Sequence, residues 1–352
     1  MSTSDRRRSS PDAAMQVVVH EDRPAQLVGA RLAVASLLRQ VPTADVLLWS
    51  PGAGADLAAW CAARPRVRLD ASSLPARGWD VKPAVLLALL EQHEQALWVD
   101  SDVLVWGDLA ARLAQVPPSA LVVAGETPLG QALGGSHRTR AWGLEVGRPL
   151  PTTANTGVVR VHRGHRPLLE AWRDLLADER YRGAQSSPWQ ERPLHLLGDQ
   201  EVLTALLGSA EFASLEVEVL RQGRDVAQCF GPAGWLPADR LACVRRGAPP
   251  VLVHAMGHRK PYAPGRPATS RSGRLRARYE GLHHRLGPYG ALAAALAPAA
   301  LAPVDDRLPW ARGTRGWRAA CLRELPLAVL DLSARRLRAL LGAGRLTVDG
   351  AT

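Results

Sequence analysis

Two aspartates one residue apart, Asp100 and Asp102, close an apolar run in ALWVDSDVLVWGDL (Ala96 to Leu109). Carboxylates are hard oxygen ligands, and two of them at the rim of a sheet suit Mg²⁺ or Mn²⁺, which keep open positions for phosphate oxygens. An acidic pair there also serves simply to end a strand or cap a helix, so its context decides. A second apolar run, VLVHAMGHRKPY (Val251 to Tyr262), ends in His254 and is followed by Gly257 and Lys260. Histidine can add a nitrogen ligand to the same metal, glycine lets backbone approach a phosphate, and lysine sets a point charge against it. Metal-bound phosphate chemistry is the expectation these residues set up together.

The elements around them must carry both runs to one place. Met15 to His20 reads as a short buried strand and Pro24 to Gln40 as a helix. The alternation repeats: strand Val46 to Trp49, helix Asp56 to Ala63, strand Val67 to Leu69, helix Lys82 to His93, strand Ala96 to Val99. Such alternation predicts a mostly parallel sheet with helices on both faces, and ligands bind such sheets beyond the carboxyl ends of strands, where Asp100, Ser101 and Asp102 fall. Further strands are expected at Leu121 to Ala124, Val158 to Val161 and Val251 to His254, with helices at Leu168 to Asp178 and Glu201 to Leu207. Gly130, Gly134 and Gly135 mark a loop suited to covering a cleft.

With these residues in view, the chain resembles glycosyltransferase family 8 and its relatives, retaining enzymes of the GT-A fold. The strand-D-x-D matches Val99 to Asp102, and the late H-x-x-G-x-x-K-P matches His254, Gly257, Lys260 and Pro261. NTGVVRV (Asn155 to Val161) resembles the family's N-x-G-strand, and GDQEVL (Gly198 to Leu203) its D-Q segment. The resemblance covers about residues 15 to 262. It implies a nucleotide-diphospho-sugar donor, with UDP-sugars favoured, and a metal on Asp100, Asp102 and His254. It also implies that Asn155 faces the donor sugar, Asp199 binds its hydroxyls and Gln200 sits beneath the anomeric carbon. Lys82, Ser101, Gly257 and Lys260 are expected against the donor, with Asp22 the counterpart of the family's base-reading segment. The acceptor, whether glycan, lipid-linked sugar or small molecule, has no signature in the stretch 125–153. Trp189, in the polar run SPWQ, is a candidate for stacking on a sugar.

Composition narrows the rest. The 352 residues are 47% hydrophobic, enough to bury a full core. The net charge of +11 points to anionic partners. Only Lys82 and Lys260 among the 44 basic residues are lysine, and the arginines are scattered outside any nucleic-acid module, so nucleic acid is not an expected partner. The four cysteines form no C-x-x-C pair and read as buried thiols. No eighteen-residue apolar run or secretory leader is present, so a cytoplasmic protein is expected. Residues 1–14 read as a disordered leader, 15–265 as the GT-A domain and 266–352 as a helical C-terminal extension beginning with the linker-like Pro264 to Gly273. Leu330, Ala334, Leu337 and Leu341 fall on one helical face, suited to docking on the domain or to peripheral contact with anionic lipid.

Three other readings use similar residues. A haloacid dehalogenase-type phosphatase wants Thr or Val where this chain has Leu104. A nucleotidyltransferase wants a Gly-rich basic loop after the first strand, where this chain has HEDRPAQ. A non-catalytic nucleotide-sugar-binding relative is separated from an enzyme by turnover alone.

Overall fold

A computed structural model of the chain describes residues 15–74, 76–126, 134–257, 260–262, 269–305, 307–311, 313 and 316–341. The expected leader, Gly130 of the loop and residues 264–268 of the linker lie outside them. The strands are β1 (Gln16–His20), β2 (Asp45–Trp49), β3 (Val67–Asp70), β4 (Gln95–Asp100), β5 (Val103–Val105), β6 (Leu121–Gly125), β7 (Ala154–His162), β8 (Val217–Leu220), β9 (Val226–Gln228) and β10 (Leu252–His254). Seven of them form one sheet in the order β3-β2-β1-β4-β7-β6-β8. β7 runs against both its neighbours, and the other pairings are parallel. This is the mostly parallel, helix-flanked sheet that the strand–helix alternation predicts.

The central strands are buried on both faces, which is why they read as near-continuous apolar runs. Their alternation splits the core in two: Val17, Val19, Leu97 and Val99 face one cluster, Val18, Ala96 and Trp98 the other. Helix Lys82–Gln92 lies over the second face, with Val85, Leu86, Leu89 and Leu90 buried. Helix Leu27–Gln40 covers the first, and Gly29 lets it close on Tyr262 and the Ser101 carbonyl: a Cβ there would stand 2.5 Å from the Tyr262 ring.

β5, β9 and β10 make a second, three-stranded sheet. It matters because the antiparallel pairing of β5 with β10 sets His254 opposite Val103, the residue after Asp102. The chain therefore leaves the main sheet at Asp100, turns through Ser101 and Asp102, and enters the second sheet beside the histidine.

The C-terminal segment is helical, as expected: Arg271–Leu286, Pro288–Ala300, Trp317–Arg323 and Leu325–Leu340. Helix Pro288–Ala300 packs on Leu27–Gln40, and Tyr289, Leu292, Leu296 and Trp310 join the first core cluster. In the last helix the leucine face expected to dock on the domain or on lipid is not packed on the domain. Leu330, Leu337 and Leu341 are exposed, and the helix's contact to the domain is polar: Asp331 accepts from the Ala233 backbone N–H at 3.1 Å, and Arg335 donates to the Phe230 carbonyl at 3.1 Å. All four cysteines are buried and free. No helix among the described residues is long and apolar enough to cross a membrane.

Candidate active site

A cleft of about 380 Å³ opens beyond the carboxyl ends of β1 and β4, within the ~300–1,000 Å³ usual for small-molecule sites. All eleven residues expected to hold the donor or the metal line it: Asp22, Lys82, Asp100, Ser101, Asp102, Asn155, Asp199, Gln200, His254, Gly257 and Lys260. Trp189 does not line it, and Trp79 and Trp98 do.

Ligand atoms of Asp100, Asp102 and His254 lie within 4.8 Å of one another. Two carboxylates and an imidazole make a donor set suited to Mn²⁺ or Mg²⁺. His254 Nε2 is 3.3 Å from Asp102 Oδ1, and Lys260 Nζ donates to Asp102 Oδ2 and, at 2.8 Å, to the Ala255 carbonyl. Burial pushes the Asp102 carboxyl up, but Lys260 and His254 more than reverse this and hold it well below the usual carboxylate range. Gly157 makes room for the imidazole, since a Cβ there would stand 2.5 Å from His254 Cε1. Gly257 has φ +103, a conformation that favours glycine, and its backbone faces the cleft.

Deeper in, Lys82 is 2% exposed at the start of its helix. Its three N–H donors meet Asp100 Oδ1 at 3.3 Å, Asp199 Oδ2 at 3.1 Å and Thr156 Oγ1 at 2.9 Å. Burial opposes its charge, yet the two aspartates raise its pKa. Burial raises the Asp199 carboxyl, with Lys82 and the Thr156 hydroxyl (2.7 Å) pulling the other way. Trp98 Nε1 donates to Asp100 Oδ1 at 2.6 Å. Lys82 thus couples Asp100, a candidate metal ligand, to Asp199, the carboxylate expected against the sugar.

Gln200 follows Asp199 in the first turn of helix Asp199–Leu207, which begins two residues before Glu201. Its Nε2 donates to Glu126 Oε2 and to Glu201 Oε1, each at 3.2 Å, and its Oε1 accepts from Asn155 Nδ2 at 3.3 Å. Asn155 Nδ2 also donates to Glu126 Oε2 at 3.0 Å. Burial raises the Glu201 carboxyl against the pull of Arg138, which pairs with it. Two carboxylates on one amide nitrogen fix which way the Gln200 amide points. Glu126, Arg138 and Thr156 carry no sequence motif. The one available signal was the position of Glu126 directly after β6, the same strand-end rule that picks out Asp100.

At the other end Asp22 Oδ2 accepts from the Gly78 N–H at 2.8 Å, and Ser101 Oγ donates to Glu21 Oε2 at 2.6 Å. Ser101 thus lines the cleft with its hydroxyl committed to a buried glutamate. His20 stacks on Trp98, and its buried Nε2 has no partner among the described residues. Gly134 and Gly135 pack against Leu150 and Pro151 instead of lining the cleft.

No protein-family model matches the chain, and no curated protein sequence matches it. Among solved structures it is similar to WbbM, a bifunctional glycosyltransferase, at TM-score 0.49 and 11% identity, covering 72% of this chain and 48% of that one. It is similar to the galactosyltransferase LgtC in complex with donor and acceptor sugar analogs (TM-score 0.47, 16% identity, 76% and 95% covered). A third is the glycosyltransferase GlyE of Streptococcus pneumoniae (0.45, 15%, 81% and 64%). The chain thus spans about half the length of WbbM and under two thirds of GlyE. What the cleft binds follows from its own residues.

Proposed function

We propose that the protein is a metal-dependent, retaining glycosyltransferase. It moves a hexose from a nucleotide diphosphate sugar, with UDP-sugars favoured, to the hydroxyl of a glycan, lipid-linked sugar or small molecule. The observation that carries this reading is the meeting, in one cleft, of the Asp100–Asp102–His254 donor set with the buried net of Lys82, Asp199 and Gln200. A divalent cation held there offsets negative charge on a departing diphosphate. Lys260 adds a positive charge beside the same oxygens, and Gly257 lets backbone approach them. Asp199, held by Lys82 and Thr156, presents a carboxylate to sugar hydroxyls.

Retention is supported by what surrounds Gln200. An amide is a poor nucleophile. Glu201 is bound by Arg138, and one Glu126 oxygen accepts from both Asn155 and Gln200, so neither is a free base for an attacking hydroxyl. The acceptor's proton then goes to the departing diphosphate on the same face. A nucleotidyltransferase has less support, because after β1 Arg23 is pinned to Glu21 at 2.7 Å in place of a phosphate-cradling loop.

The test is a panel of nucleotide sugars incubated with the full chain in Mn²⁺ or in EDTA, following release of the nucleoside diphosphate. Release from one donor class in Mn²⁺ and none in EDTA is expected. Equal release in EDTA, or none from any donor, overturns the reading. Proton NMR of the first product decides the stereochemistry: an inverted anomeric coupling contradicts retention.

A further inference from the structure

The last helix, Leu325–Leu340, turns its polar side inward and its apolar side out. Inward, Asp331 accepts from the Ala233 N–H at 3.1 Å and pairs with Arg335 at 3.2 Å, and Arg335 donates to the Phe230 carbonyl at 3.1 Å. Only Ala328 of this helix is buried. Outward stand Val329, Leu330, Leu337 and Leu340, with Leu341 just past the end, spaced by whole turns so that they share one side. These five side chains are between 46% and 84% exposed. Large apolar groups gathered in one outward stripe mark an interaction surface, where single scattered leucines would not.

The surrounding charge says which partner fits. Arg336 lies two turns from Val329 on one edge of the stripe, and Arg338 one turn from Leu341 on the other. Helix Arg271–Leu286 runs antiparallel beside it, since His283 pairs with Glu324 and the Tyr279 hydroxyl bonds Asp331. The first turns of that helix therefore stand next to the last turns of the other. They bring Arg271, Arg274, Arg276 and Arg278 around Leu275, all of them exposed. The only carboxylates on the two helices, Glu280 and Asp331, are paired with Arg276 and Arg335. Arg271, Arg274, Arg278, Arg336 and Arg338 have no carboxylate partner among the described residues. An apolar stripe edged by uncompensated guanidinium groups suits a helix lying in the plane of an anionic bilayer. Its leucines enter the acyl boundary while the arginines meet headgroup phosphates. A second copy of the chain suits it less, because mating two such faces sets guanidinium against guanidinium.

We infer that the tip formed by these two helices is a docking surface for a membrane rich in anionic lipid. The leucine stripe of Leu325–Leu340 inserts, and the arginines of both helices select for negative headgroups. The contact is peripheral, since no helix among the described residues is long and apolar enough to cross a membrane.

The full chain is co-sedimented with phosphatidylcholine vesicles prepared with and without phosphatidylglycerol. Binding to the anionic vesicles is expected, at least about tenfold tighter than to phosphatidylcholine alone and weakened by salt. Leu337→Asp and Arg336→Glu should each weaken it by about tenfold. Arg173→Glu makes the same charge change outside the C-terminal helices and should leave binding within about twofold. All three side chains are exposed, circular dichroism checks that the variants fold, and the comparison of vesicles needs no variant. Leu340→Trp reads insertion: on anionic vesicles its added emission should shift to the blue and be quenched by lipids brominated on the acyl chain. No binding, equal binding to both vesicles, equal weakening by Arg336→Glu and Arg173→Glu, or Leu340→Trp emission unchanged by vesicles overturns the proposal. Light scattering without lipid covers the other occupant: a dimer that Leu337→Asp dissociates overturns it too and assigns the stripe to a second copy.

Discussion

Asp102, at the rim of the sheet, is held by the tips of two side chains, Lys260 and His254. Gln200, at the far end of the same cleft, is held by Glu126, Glu201 and Asn155, which are buried and tied to one another or to Arg138. The first arrangement suits a place that must exchange its partners for a metal and a diphosphate each time substrate comes and goes. The second suits a group whose orientation must be set before substrate arrives, since a preorganised dipole costs no rearrangement at the moment of reaction. Lys82 is the joint between them, bonded to a carboxylate from each side.

Removing the joint should therefore have the largest effect. Lys82→Met leaves Asp100 and Asp199 facing each other without their buried counter-charge, a loss of about 3–5 kcal/mol in stability by the usual cost of breaking a buried pair. Denaturant unfolding measures it, and a loss under about 1 kcal/mol would mean that the two ends are not coupled through this residue. Asp102→Asn acts on the exchangeable end alone. Turnover should fall by about 10²–10³-fold, the scale of losing one electrostatic stabiliser, with circular dichroism checking that the variant folds. Gln200→Ala should slow transfer while leaving measurable turnover. Glu126→Gln acts on the fixed end: the new amide can donate where the carboxylate only accepts, so the Gln200 amide loses its set direction. About a tenfold fall in kcat is expected with donor KM nearly unchanged. An equal rise in KM would instead make Glu126 part of ground-state donor binding.

A pH-dependent effect lies at Asp80, two residues before Lys82. Burial raises the Asp80 carboxyl to about 6, against the bond from the Tyr181 hydroxyl at 2.7 Å, which pulls it down. A carboxyl with a folded pKa above its unfolded value near 3.8 keeps its proton more tightly when folded. Stability then falls as pH rises from about 4 to about 6 and stays lower above that window. Asp80→Asn should raise Tm at pH about 7.5, with the difference from the natural chain fading below pH about 4. A difference that does not vary with pH would remove Asp80 as its source.

The exchangeable end was the more legible in the sequence. Asp100 and His254 each close an apolar run, and strand ends are where α/β sheets present ligands, so the residue types and their places agree. The fixed end was half hidden. Gln200, Asp199 and Asn155 come from the family resemblance, but Glu126 stands alone after β6, and Arg138 cannot be told by type from dozens of solvated arginines. β5, β8 and β9 also escaped: β8 and β9 carry Glu218 and Gln228 among their few residues, and β5 follows Asp102 directly, so none stands out as an apolar run of its own. Yet β5 is what brings Asp102 to His254, so the ligand set could be named from sequence before its geometry could be explained. The leucine face of the last helix was legible as a pattern but not in its use, because the polar residues Asp331 and Arg335 make the contact to the domain.

The most direct test of the exchangeable end is Mn²⁺ binding by electron paramagnetic resonance, on the full chain with UDP present. One tightly held Mn²⁺ per chain is predicted, lost in Asp102→Asn and weakened in His254→Ala. Binding that is absent in the natural chain, or unchanged in both variants, would contradict the assignment of Asp100, Asp102 and His254 as the metal's ligands.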